Sequence, residues 1–354
     1  MELEQQFLSL LGIVEGLQRR VYQLEEENKL LIRGQKQLLE WSEQNHQEHL
    51  NFQENAVYEL YDRMKQPLEG FFPKISSAEL AVDEIVNHGK SMARFGDGEF
   101  AAIAGRIRHR FQTQVEEELS RKLKETLRSE DENLLVGIAD NYGSLEKYTE
   151  QAKREIRCYL NPQVRKEHLE LLNPEKEYYD AYVTRPYVMY ADNQTGEPGR
   201  RFDNLKRIWE GRDCIFVEGC YTGLGVGNDL FDNAKSVKRM IGPAENAFSR
   251  YQEILDCCLK QPKDKLFLLA LGAAATVLAA DLCKEGYQAV DIGHIDLEYE
   301  WFLQGEGRRT SVEGKYNNEI GEEQRLLPIR DEVYRSQVIA EFYDIEEIRI
   351  EEQK

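Results

Sequence analysis

The chain has 354 residues, 41% hydrophobic and 31% charged, which is enough apolar material for one large core. Acidic residues outnumber basic ones by 65 to 46, a net charge of −19. That balance excludes a general nucleic-acid or anionic-membrane binder, which needs clustered Lys and Arg. It leaves room for a phosphate-bearing small substrate served by a few placed cations or a metal.

The first segment in chain order is a heptad seam. Leu3, Phe7, Leu10, Val14, Leu17, Val21, Leu24, Asn28, Leu31, Gln35 and Leu38 alternate at 4-3 spacing, with Phe7, Val14, Val21, Asn28 and Gln35 at a and Leu at each d. Val at a with Leu at d favours two parallel strands, Asn28 sets register, and Arg20 at g can meet Glu25 at e of a partner. Residues 1–52 are therefore expected to form a parallel homodimeric coiled coil; a helix packed on its own domain is the alternative. The pattern then loosens, and Pro67, Gly70 and Pro73 mark residues 53–75 as a linker. No run reaches the roughly 18 apolar residues of a membrane span. The acidic start Met1-Glu2-Leu3-Glu4 lacks the features of a signal peptide, and six cysteines without CxxC or metal-finger spacing read as reduced thiols. The expected location is the cytoplasm.

From residue 76 to 327 the pattern is strand alternating with helix. A helix is expected over 75–87, capped by Ser76 or Ser77, and strands over 91–95, 134–138, 214–219 and 238–241. The clearest unit lies between 266 and 293: a strand, Gly272, an Ala-rich helix, the closing Gly286, and a second strand ending at Gly293. This is a βαβ crossover, so the expected fold is α/β, a Rossmann-like, mostly parallel sheet with flanking helices. Gly96, Gly219, Gly272 and Gly293 fall at strand ends, where such sheets bind ligands. Residues 328–354 read as an acidic tail, helical over 345–352.

Three constellations carry candidate chemistry. Asp97-Gly98-Glu99 follows a strand directly, and its two carboxylates can share a hard cation such as Mn²⁺ or Mg²⁺. The same tripeptide alone is a common surface turn. In the second, Asp296 and Glu300 stand four apart on one helical face, with His294 in the turn before them. Any of these, or Glu298, could deprotonate an acceptor hydroxyl. The third is the loop from Gly219 through Gly223, Gly225 and Gly227 to Asn228 and Asp229, whose backbone N–H groups suit a phosphate or nucleoside. It is neither a Walker A loop nor a dinucleotide fingerprint. Lys235, Lys238 and Arg239, which follow it, could offset diphosphate charge or serve as a solvated face.

In this order the segments resemble the GT-D-fold glycosyltransferases, a bacterial family. The matching stretches are Ala93 through Phe100, Val217-Glu218-Gly219, Gly225 through Phe231, Gly242 through Phe248, Gly286 through Asp296 and Tyr299-Glu300-Trp301, with a shorter match at Thr184-Arg185-Pro186-Tyr187. The resemblance covers about residues 76 to 305 and implies a UDP-sugar-dependent transferase using Mn²⁺ through an Asp-X-Glu motif, acting on a glycan or glycoprotein acceptor. Asp97 and Glu99 fall on that metal motif. Arg94, Gly96, Arg185, Gly225, Asn228 and Asp229 are the candidates for holding the donor, and Asp296, Glu300 and His294 for the base, with inversion expected. A metal-dependent nucleotidyl or phosphoryl transferase and an inactive scaffold acting through its coiled coil are the alternatives.

Overall fold

The computed structural model describes residues 2–64, 70–107, 116–317 and 329–343. It divides into two compact units, Met1–Val57 and Tyr58–Lys354. The described residues of the first belong to a single helix, Glu2–Met64. No helix is long and apolar enough to cross a membrane among the described residues.

The second unit is built on nine parallel strands: β1 (Lys74–Ser76), β2 (Ser91–Phe95), β3 (Leu134–Ile138), β4 (Glu177–Asp180), β5 (Asp213–Gly219), β6 (Ser236–Gly242), β7 (Leu266–Ala270), β8 (Gln288–Asp291) and β9 (Val338–Glu341). Their order across the sheet is β1-β4-β3-β2-β8-β7-β5-β6-β9. All pairings are parallel. Helices cover both faces, so the central strands are apolar on both sides, as parallel strands must be. The two-residue period sorts side chains between two cores. Phe95, Val136, Val217 and Leu269 pack with the helices Glu117–Leu127 and Ala273–Lys284. Met92, Leu135, Phe216 and Leu268 pack with the helices Ala78–His88, Glu197–Lys206 and Ile295–Gln304.

The expected strands are present within a residue or two. Three others, β1, β4 and β9, were not anticipated. β4 is Glu-Tyr-Tyr-Asp, too short and too polar at its ends to show an apolar run. β1 corrects the start of the expected helix over 75–87, which begins at Ala78 with Ser77 as cap, its Oγ accepting from the Leu80 N–H. β1 also ends the expected linker early, and the helix runs into that linker as far as Met64.

β9 places part of the expected tail inside the sheet. Beside the β6 pairing, Arg239, buried on β6, ties the segment that leads into β9. It donates to Glu218 at 2.5 Å, to the Leu224 carbonyl at 2.9 Å and to Gln337 at 2.7 Å, and it packs against the Tyr334 ring. One buried cation thus anchors the glycine loop and the segment leading into β9. The helix expected over 345–352 lies outside the described residues.

The order of strands fixes where a ligand can enter. After β2 the chain builds outward through β3 and β4, then crosses to the other half and returns to lay β8 beside β2. The helix after β2 packs into one core and the helix after β8 into the other. Their divergence opens a crevice at the carboxyl ends of β2 and β8, the topological switch point.

Candidate active site

A cavity of about 680 Å³ occupies that crevice. Arg94, Gly96, Asp97, Glu99, Arg185, His294 and Asp296, all sequence candidates, lie on its wall. Gly225, Asn228, Asp229 and Glu300 do not; they stand behind it.

β2 ends at Phe95, Gly96 follows as the cap, and the short helix Asp97–Ile103 begins at once. Glu99 folds back so that its Oε2 accepts the Gly96 N–H at 2.7 Å, while Asp97 Oδ1 accepts the Gly98 N–H at 3.0 Å. Burial pushes the Glu99 carboxyl above the usual carboxylate range; the Gly96 N–H opposes this, and the charges of Asp291 and Asp97 add to it. Like charges crowded at a buried carboxylate are relieved by a divalent cation. Among the described residues no three His, Cys, Asp or Glu side chains converge to enclose a metal. Asp97 and Glu99 supply carboxylate oxygens, the donor chemistry that suits a Mg²⁺- or Mn²⁺-type ion whose remaining ligands are water or phosphate oxygens.

Arg94, expected to meet the diphosphate, is committed to the fold. Its Nε donates to the Asp291 carbonyl at 2.8 Å, Nη2 to Asp291 Oδ1 at 2.9 Å and Nη1 to the Ala181 carbonyl at 3.2 Å. The guanidinium lies against Gly293, where a β-carbon would stand 1.9 Å from Nη2. Gly293 also has φ +47°, so glycine is required there twice over. Arg185 reaches the wall from the turn after β4, its Nη2 3.5 Å from His294 Nδ1.

The glycine loop is held largely by the protein itself. Gly219, Thr222 and Leu224 face the cavity, but the polar groups further along turn toward the helix Ile295–Gln304. Asp296 Oδ1 accepts from the Gly225 N–H at 2.9 Å and from Asn228 Nδ2 at 3.0 Å, and the same Asn228 amide donates to Glu300 Oε1 at 2.7 Å. Lys315 donates to Asp296 Oδ2 at 2.5 Å and to Glu300 Oε1 at 2.9 Å. Asp229 accepts from the Tyr299 hydroxyl at 2.7 Å, on an exposed edge. Lys235 pairs with Asp213 at the opposite end of β5, and Arg239 is the buried partner of Glu218. Neither meets the cavity.

Sequence reasoning missed several wall residues, because they carry no local motif. His168, from the helix Pro162–Leu171, stacks on Phe100 at 3.8 Å between ring centroids, directly behind the Asp97 turn. Its two ring nitrogens bond the hydroxyls of Tyr142 and Tyr159 at 2.8 and 2.9 Å. Arg309 and Tyr316 also line the cavity, on a segment without regular structure.

Fold and cavity together define an open α/β protein whose ligand site lies at the switch point beside a two-carboxylate turn. The family described as "Glycosyltransferase GT-D fold" matches residues 92–320, and the chain belongs to that family. It is 36% identical over 268 residues to a probable glycosyl transferase, Gly, of Streptococcus gordonii. It is 34% identical over 281 residues to glycosyltransferase GlyD of Streptococcus pneumoniae. These matches take in 75% and 79% of the chain but 38% and 33% of the relatives, so the chain spans little more than a third of their length. Among solved structures it resembles one described as a new glycosyltransferase from Streptococcus sanguinis, with TM-score 0.72 and 34% identity over 77% of this chain and all of the other. A second, described as a highly conserved domain of unknown function with a distinct glycosyltransferase fold, matches at TM-score 0.71 and 31% identity, over 77% of this chain and 96% of the other.

Burial holds the His168 pKa down to about 4, from 6.5. The unfolded chain therefore binds a proton that the folded one refuses. Stability is complete above about pH 6.5 and falls as pH drops toward 4. Between pH 7 and 5 the wild type should lose about 2 kcal/mol more than His168→Gln, read from urea unfolding at each pH. Equal losses would show that His168 titrates normally.

Proposed function

We propose that the protein transfers a sugar from a UDP-sugar to a glycan or glycoprotein hydroxyl, with Mn²⁺ or Mg²⁺ held by Asp97 and Glu99. The observation that carries this reading is the position of those two carboxylates, on the rim of a cavity of nucleotide-sugar dimensions at the switch point. The metal, when bound, supplies the charge compensation that a departing diphosphate needs. Arg185 adds a cation on the same wall, and the Gly219–Leu224 turn lines the side opposite β2. Direct displacement at the anomeric carbon with inversion needs one base for the acceptor proton. His294, a wall residue whose Nδ1 lies 3.5 Å from Arg185, is one candidate for that role in our reading, and Asp296 is the other. Asp296 reaches the wall, but both its oxygens accept hydrogen bonds from the protein, and Glu300 stands behind it.

The long N-terminal helix supports self-association. Leu10, Leu17, Leu31 and Leu38 are each at least 60% exposed, a run of d positions that a second copy would cover. In this reading residues 1–52 form a parallel homodimer.

Two measurements check these readings. Asp97→Asn should reduce Mn²⁺-dependent release of UDP from a UDP-sugar by roughly a hundredfold or more, since the ion loses one of its two protein ligands. Retained activity would remove the metal assignment, and release of pyrophosphate in place of UDP would point to a nucleotidyl transferase. Deleting residues 1–52 should convert a dimer to a monomer in light scattering without loss of hydrolysis, whereas a monomeric full-length chain would refute the coiled coil.

A further inference from the structure

The segment after the helix Ile295–Gln304, here called the roof, brings Arg309 and Tyr316 to the cavity, and no motif announced it. Arg309 pairs with Glu155 at 2.9 Å on one side, and the Tyr316 N–H donates to the Tyr221 carbonyl at 3.0 Å on the other. Trp301 Nε1 donates to the Thr310 carbonyl at 2.9 Å, and the Gly307 N–H to the Tyr187 hydroxyl at 3.0 Å. Between these ties Lys315 sends its ammonium inward, with its side chain 6% exposed, onto Asp296 and Glu300. Asn228 spans the same two carboxylates from the loop side, and the Gly225 N–H completes Asp296. Roof, helix and glycine loop thus meet in one buried network.

Stability alone does not call for such a network. Desolvating an ammonium and two carboxylates costs about as much as their attraction returns, and apolar side chains of similar volume would hold the segment as well. Directional hydrogen bonds add fixed geometry. Burial works against the Lys315 charge, yet the two carboxylates outweigh it and hold its pKa above the ordinary lysine value. The loop that Lys315 reaches through Asp296 and Asn228 carries Thr222 and Leu224, which form cavity wall.

We propose that Lys315 is a positioning residue for sugar transfer: it latches the roof, residues 305–317, to Asp296, Glu300 and the glycine loop, and so sets the closed shape of the cavity around the donor, with Arg309 and Tyr316 as the roof's contacts to substrate. The identity of the donor rests on the function proposed above; the latch itself does not.

The test is hydrogen exchange on the full-length protein without nucleotide, paired with steady-state hydrolysis of a UDP-sugar. In Lys315→Met, amides in 306–317 and 223–228 should exchange at least about tenfold faster, the ratio that one charge-assisted hydrogen bond is worth. The KM for donor should rise by about tenfold, with kcat changed less. Should Lys315→Met fail to fold, the double variant Asp296→Asn/Lys315→Met keeps the net charge of the network and should show the same exchange. Wild-type exchange in either variant overturns the latch, and faster exchange with unchanged KM overturns the positioning role. A wild type that hydrolyses no sugar nucleotide would sink the function reading, while the exchange data would still decide the latch.

Discussion

The pairing of Arg94 with Asp291 is the interaction on which the rest of the site depends. β2 and β8 come from distant parts of the chain and share a single registered pair, Met92 with Val290, where β5 and β6 share seven. The backbone ladder alone ties the two halves of the sheet weakly at this seam. A guanidinium with 14% of its side chain exposed bridges the carboxyl ends of both strands and reaches the turn after β4. The turn that carries Asp97, the turn that carries Arg185 and the turn that carries His294 are thereby held around one space. Gly293 is the necessary companion, because any side chain there would displace the guanidinium.

The interior carboxylates show how a chain with net charge −19 manages burial. Asp291 is answered by Arg94, Glu218 by Arg239, and Asp296 with Glu300 by Lys315. Each cation also bonds a backbone carbonyl or a second side chain, so each pair joins separate elements. Glu99 is different. Its bonded partner here is the Gly96 N–H; desolvation first, and then the charges of Asp291 and Asp97, hold its pKa up against that bond. A half-buried carboxylate in this state costs stability unless something positive joins it. Glu99 stands beside Asp97, on the wall of the cavity.

Much of this was legible in the sequence, for identifiable reasons. β3 and β7 are apolar runs and β5 is nearly so, because both of their faces are covered, and the Gly272 to Gly286 helix announced its crossover through its two glycines. Asp97-Gly98-Glu99 was readable from its place after a strand. β4 and β9 were not, since short strands near the edges carry too few apolar residues to register. Arg94 and Asn228 were assigned to the ligand because strand ends and glycine loops often serve ligands; their partners stand 197 residues away for Arg94 (Asp291) and 68 for Asn228 (Asp296), beyond any local pattern. Lys315 lacked a signal for the same reason: its meaning comes from two carboxylates on the preceding helix that only packing brings to it.

With two protein carboxylates available, neither metal nor diphosphate should bind well alone. Calorimetric titration of UDP into the full-length protein, with and without Mn²⁺, tests that coupling most directly. The account predicts that Mn²⁺ tightens UDP binding by about tenfold or more, within the ordinary range of coupling between two ligands. Equal UDP affinity in the presence and absence of Mn²⁺ would contradict it.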